Sequence, residues 1–256
     1  MINKLTSLFS KDNAKLLNVY FTAGYPTKQS TAKVLIALQH SGVDVIEIGM
    51  PYSDPIADGP VIQNSNQVAI ANGITIPVLF EQLENCKAKI AVPLILMGYL
   101  NPVLQYGFAA FCKKAASVGI SGIILPDMPM YEYENTYKHI FTDNNLTCIF
   151  LITPQTSIER IKAIDKHSHS FIYAVSSNAI TGTQANTAGQ EIYFKKLQKI
   201  KLKNKLMIGF GIHDKHSFLQ ACKYATGAIV GSAYIKILGS TKDIAKSTDT
   251  FVKSLR

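Results

Sequence analysis

Eight short apolar runs, rich in β-branched residues, recur along the chain at 17–22, 44–48, 92–97, 122–125, 146–152, 170–175, 205–208 and 227–230. Between most of them the apolar positions return with a helical period, at 30–40, 108–118, 131–141, 157–164 and 214–223. Strand and helix alternate without hairpin signals, and parallel neighbours need crossover connections, so the pattern predicts a parallel α/β sheet. Eight such units in 256 residues match the size of one closed (β/α)8 TIM barrel, a single domain over 1–256. The alternative is a doubly wound open sheet. Against it, no Gly-x-Gly-x-x-Gly follows the first run and no linker divides two halves.

Composition narrows the setting. With 47% hydrophobic and 17% charged side chains, the chain can bury a large core. Its longest apolar stretch, 90–100, is about half of the roughly 20 residues a membrane span needs, and Pro93 and Gly98 interrupt it. The N-terminus carries neither an apolar signal core nor an Arg-rich transit pattern. The expectation is a soluble protein of the cytoplasm, or of the plastid stroma if plastid-encoded. Cys86, Cys112, Cys148 and Cys222 form no CxxC pair, which predicts buried thiols rather than disulfides or a zinc site. Much of the formal charge of +9 is local, in Lys195, Lys196, Lys199, Lys201, Lys203 and Lys205. Tyr193, Leu197 and Ile200 share one helical stripe there, so the lysines are expected on a solvated helix face and not at a nucleic acid. A generally basic protein also suits a phosphorylated small substrate.

The chemistry concentrates in residues 45–63. Strand alternation puts Glu47 on the face of Val45, opposite Ile46 and Ile48, so a carboxylate leaves the strand on a buried side. It is either satisfied structurally or kept there because burial raises its pKa for proton transfer near neutral pH. Pro51, Pro55 and Pro60 stiffen the following loop, which carries Asp54 and Asp58. Its path can return Asp58 to the strand end, giving two acids of different environment in one site. Barrels work at the C-terminal ends of their strands, and the enlarged loop there marks the working face.

Glycines supply a second constellation. Thr181-Gly182-Thr183 follows the sixth run, Gly209-Phe210-Gly211-Ile212 the seventh and Gly231-Ser232-Ala233 the eighth. Glycines admit an anion to backbone N–H groups, and a helix opening at Ser232 would aim its positive end at the same point, which predicts a phosphate site at the strand 7/8 loops. Other residues have plainer readings. His167 and His169 precede a strand, at the non-catalytic end, so no metal is expected. His213 and His216 open a helix, where His213 is either solvated or near a phosphate. Asp127 either caps local N–H groups or touches substrate. Phe21, Met97, Tyr99, Ile124, Tyr173 and Phe210 lie near strand ends, as core lining or as a pocket for a flat aromatic substrate.

The stretch from Glu47 to Gln63 resembles the signature of the tryptophan synthase alpha chain family. The resemblance extends to 21–26, Met97-Gly98-Tyr99-Leu100-Asn101-Pro102, Leu125-Pro126-Asp127-Met128-Pro129, Gly209-Phe210-Gly211-Ile212 and Gly231-Ser232-Ala233, in order along nearly the whole chain. It implies retro-aldol cleavage of indole-3-glycerol phosphate to indole and glyceraldehyde 3-phosphate, late in tryptophan biosynthesis. Glu47 matches the family's acid-base glutamate and Asp58 the aspartate that meets the indole N–H. Gly182, Gly211, Gly231 and Ser232 would hold the phosphate, and Phe21, Tyr99, Ile124, Tyr173 and Phe210 would line the indole slot. Thr181 would close over the substrate with the sixth loop.

The resemblance further implies no metal and no cofactor in this chain. Its partner would be a pyridoxal-phosphate beta chain in an α2β2 complex that receives indole, faced by the second loop and the Asn101-Pro102 turn. The sixth loop departs from the family pattern: Ser177 stands where an Arg is usual and Ala179 where a Gly is, which touches loop closure but neither acid. The rivals are a free-standing indole-releasing lyase, a non-catalytic subunit that activates its beta chain, and a phosphosugar isomerase on the same barrel.

Overall fold

The computed structural model describes residues 3–176, 187–209 and 211–256. The strands are β1 (Leu16–Thr22), β2 (Val45–Gly49), β3 (Leu94–Met97), β4 (Ile120–Ile124), β5 (Thr147–Ile149, resuming after Phe150 as Leu151–Ile152), β6 (Phe171–Val175), β7 (Lys205–Gly209) and β8 (Gly227–Val230). Every pairing is parallel, and β1 lies between β2 and β8. The first half of β5 pairs with β4 and the second half with β6, while Tyr173 N donates to Phe150 O at 3.0 Å. The sheet thereby closes into the expected barrel, and closure removes the exposed edges an open sheet would carry.

Alternation sorts each strand into two cores. On β1, Leu17, Val19 and Phe21 pack outward in one cluster with Val34, Leu35 and Leu38 of helix α2 (Ser30–His40). Leu16, Val45, Ile95, Ile124, Ile149, Phe171, Met207 and Ile229 fill the interior. The first helix, α1 (Lys4–Phe9), plugs the N-terminal end of the barrel. Leu5 and Phe9 join the interior cluster, Phe9 and Phe171 lie 4.8 Å apart, and Asn3 caps the helix while its Nδ2 donates to Ser121 O and Asn145 O. Access to the interior is left to the strand C-terminal ends.

Between β2 and β3 lie two helices, α3 (Pro60–Ala71) and α4 (Ile76–Cys86), which account for the long spacing there. After β3 come α5 (Leu100–Tyr106) and α6 (Phe108–Ser117). Asn101-Pro102, expected as a turn, sits in the first turn of α5, where proline's missing N–H costs nothing. The helix expected over 131–141 is α7, in three consecutive pieces, Met130–Glu132, Tyr133–Tyr137 and Lys138–Asp143, the middle one a wide π-type turn. Tyr133 within it packs against Phe141 and Phe150. The remaining helices are α8 (Ile158–His167), α9 (Thr187–Lys199), α10 (Lys215–Ala221), α11 (Ser232–Ser240) and α12 (Ile244–Leu255).

In α9, Tyr193, Phe194 and Leu197 are buried while Lys195, Lys196 and Lys199 face solvent. Cys86, Cys112 and Cys148 are buried and Cys222 half-buried, all four free. Among the described residues no helix is long and apolar enough to cross a membrane.

Candidate active site

Glu47 projects from the interior face of β2 and is 1% exposed. Asn18, on β1, donates from Nδ2 to Glu47 Oε2 at 2.9 Å. Burial pushes the Glu47 carboxyl up to about 8; the Asn18 hydrogen bond pulls against that, and the Asp58 charge adds to it. Asp58 reaches the same space from the loop after β2. Tyr99 O–H donates to its Oδ2 at 3.2 Å, and Ala57 N donates back to the Tyr99 oxygen at 3.0 Å. Burial raises Asp58 to about 6, against the Tyr99 hydrogen bond. Helix α3 anchors the loop: Gln63 Nε2 donates to Asp58 O at 2.9 Å and Tyr52 N to Asn66 Oδ1 at 3.2 Å. Asp54, the other acid of the loop, is exposed.

Both acids line a cavity of about 600 Å³. Tyr20, Tyr173 and Met97 border it near the acids, and Gly211, Gly231 and Ser232 line it with Lys236 and His213. Burial raises both phenols, Tyr20 and Tyr173, well above the ordinary tyrosine value, so they stay neutral. Two strand-end glycines make room for them. A Cβ at Gly49 would lie 2.1 Å from the Tyr20 hydroxyl, and one at Gly209 would lie 2.3 Å from that of Tyr173. Gly211 has φ +77°, a left-handed conformation that favours glycine. Gly231 and Ser232 open α11 at the cavity, and the first N–H groups of a helix have no partner within it. A wider groove of about 870 Å³ between α8 and α9 is lined by lysines and has a single acid, Asp165. That carboxylate is occupied by the backbone N–H groups of Lys203 and Asn204.

Residues 7–255 match the family model described as tryptophan synthase alpha chain. Among curated relatives, the tryptophan synthase alpha chain of Flavobacterium johnsoniae is 50% identical over 94% of this chain and 95% of its own length. That of Christiangramia forsetii is 47% identical over 100% and 99%. The solved tryptophan synthase alpha chain of Legionella pneumophila superposes with a TM-score of 0.86 at 31% identity, covering 100% of this chain and 96% of that one. The chain belongs to the tryptophan synthase alpha chain family. The family's reaction makes it a carbon-carbon lyase that cleaves indole-3-glycerol phosphate, and membership implies a beta-chain partner.

The alpha-chain fold brings Glu47, Asp58, Tyr173, Gly211, Gly231 and Ser232 to one cavity. Tyr99 stands behind Asp58 rather than on the lining, and Ile124 faces the barrel interior without reaching it. Phe21 requires a correction. It is fully buried in the layer between barrel and helices, and the β1 ring in the cavity is Tyr20, one residue earlier. A shift of one residue along a strand exchanges its faces. Thr181, Gly182 and Phe210, with Ser177 and Ala179, lie outside the described residues.

Asp127 accepts from Leu100 N with both oxygens, at 2.9 and 3.0 Å, and so caps α5 across the loop rather than its own turn. His167 Nε2 lies 2.8 Å from Glu134 Oε1, and no group of metal-binding side chains occurs among the described residues. Lys236 and Asn18 escaped sequence reading. The first stands one helical turn beyond Ser232, a spacing that would have signalled it; the second is a lone amide in a mostly apolar strand.

Proposed function

We infer that Glu47 is the acid-base group of indole-3-glycerol phosphate cleavage and Asp58 the carboxylate that holds the indole N–H. The observation that carries this is one cavity with two carboxyls in different states. Near pH 7 Glu47, raised to about 8, keeps its proton, while Asp58, raised only to about 6, is ionised. Glu47 gives its proton to C3 of the indole, and positive charge develops on the ring. Asp58 accepts the ring N–H and offsets that charge. Ionised Glu47 then takes the proton of the adjacent chain hydroxyl as the bond from C3 to the chain breaks. The bonding pair returns to the ring, which leaves as indole; the chain leaves as the aldehyde, and Glu47 is again the acid.

Tyr20, Tyr173 and Met97 border the slot for the flat ring, with Ile124 deeper in the barrel. Gly211, Gly231 and Ser232 receive the phosphate, and Lys236 and His213 add positive potential at that end. Thr181, Gly182 and Phe210 complete the closed site, as the family resemblance implies. The whole chain acts as one barrel domain of the cytoplasm, needs no cofactor of its own and assembles with a pyridoxal-phosphate beta chain as α2β2. Ile56, 75% exposed, and Leu104, 44% exposed, give the second loop and α5 an apolar surface for that contact.

The test is indole release by wild type and Glu47→Gln, each with and without a beta chain. Slow release alone, acceleration by the partner and loss in the variant are expected. Fast release without a partner would favour a free-standing lyase, and equal release by Glu47→Gln would remove Glu47 from the mechanism.

A further inference from the structure

Asn18 puts an amide in a barrel interior filled mostly by apolar side chains. It is fully buried on β1, between Leu16 and Tyr20 on the inward face and in register with Val45. Its Nδ2 donates to Glu47 Oε2, while its own Oδ1 is buried with no hydrogen-bond partner among the described residues. A leucine, which has the same number and branching of side-chain heavy atoms, would not leave a buried carbonyl unpaired, which is a costly arrangement. Packing therefore does not account for the amide, and its donor does. An amide N–H can only donate, so the Glu47 oxygen facing it must accept whether the carboxyl is protonated or ionised. Glu47 Oε1 receives no hydrogen bond from the described residues, and Glu47 lines the cavity.

We propose that Asn18 is a positioning residue for Glu47, holding Oε2 as the accepting oxygen so that the proton exchanged with substrate travels on Oε1. The proposal rests on Glu47 being the acid-base group. Besides Asn18, the titratable groups facing Glu47 are Asp58 from the loop after β2, Tyr20 from β1 and Tyr173 from β6. All three remain when Asn18 is replaced. A donor to a carboxyl favours its ionised form, so losing it moves the Glu47 midpoint to higher pH.

The experiment is Asn18→Leu, followed by the pH profile of indole release and by a carboxyl 13C NMR titration of Glu47. Its midpoint should rise by about one pH unit, the size of one lost hydrogen bond to a charged group. kcat should fall about tenfold through lost orientation, with KM little changed because Asn18 is not on the cavity lining. In a Glu47→Gln background the same replacement should cost no further activity. A folded Asn18→Leu with the wild-type midpoint and kcat overturns the proposal.

Should Asn18→Leu not fold, wild type decides. The side-chain amide resonances of Asn18 should titrate with the Glu47 midpoint and lose that titration in Glu47→Gln; resonances that stay flat overturn it. If Glu47→Gln is inactive while Asn18 has no effect, only this proposal falls. If Glu47→Gln is fully active, the acid-base reading falls with it.

Discussion

Replacing Glu47 with Gln removes one titratable group, keeps its volume and keeps an oxygen for Asn18 to donate to. The folded chain holds the Glu47 proton up to about pH 8, whereas the unfolded chain releases it near 4.5. From 4.5 upward the folded state therefore binds more protons than the unfolded one, and stability falls as pH rises. The slope approaches about 1.4 kcal/mol per pH unit and ends once the folded carboxyl ionises near 8. Integrated between pH 5 and 7, Glu47 alone accounts for about 2 kcal/mol of lost stability. Asp58, raised in the same direction, contributes to both proteins and cancels to first order in their difference.

The assay is urea unfolding of wild type and Glu47→Gln at pH 5, 6, 7 and 8. The variant's stability relative to wild type should climb by about 2 kcal/mol from pH 5 to 7 and level off above 8. Activity of the same variant should fall by roughly 10² to 10⁴. Parallel stability curves at all four pH values would refute the reasoning, because Glu47 would then be ionised in the folded protein.

kcat/KM for indole release should be bell-shaped, falling below about pH 6 as Asp58 gains a proton and above about pH 8 as Glu47 loses its own. Tyr20→Leu should raise KM, whereas Phe21→Leu should leave KM unchanged and cost about 1 kcal/mol of stability, as kinetics and urea titration of the pair would show. Lys236→Met should raise KM several-fold with kcat nearly constant, and the difference should shrink at high salt. Gly49→Ala brings a methyl to 2.1 Å from the Tyr20 hydroxyl, so it should cost about 1 to 3 kcal/mol of stability and weaken substrate binding as the phenol is driven into the cavity.

The architecture was legible in the chain because its cause is local. Period-two and period-3.6 apolar patterns with crossover spacing leave a parallel barrel as the economical solution, and the second strand gave Glu47 its buried face directly. The glycines after β7 and β8 and the long loop after β2 pointed, for the same reason, to the end of the barrel where the cavity with Glu47 and Asp58 lies. Each is a property of a short stretch.

Tertiary structure decided what depends on pieces far apart in sequence. Asn18, Tyr20 and Thr22 alternate with Leu17, Val19 and Phe21 along β1, but both faces are buried, and only the pairing with β2 and β8 in the closed barrel decides that the first set points inward, so Tyr20 rather than Phe21 faces the cavity. The difference between the two carboxyls likewise comes from neighbours on other elements, Asn18 on β1 for Glu47 and Tyr99 beyond β3 for Asp58. So does the fate of Asp127, whose partner lies 27 residues away. Sequence by itself singled out Glu47, Asp58 and the glycines that line one cavity, and the end of the barrel at which they meet. Desolvation and hydrogen bonding depend on distances between strands, and only the closed barrel decided which acid keeps its proton.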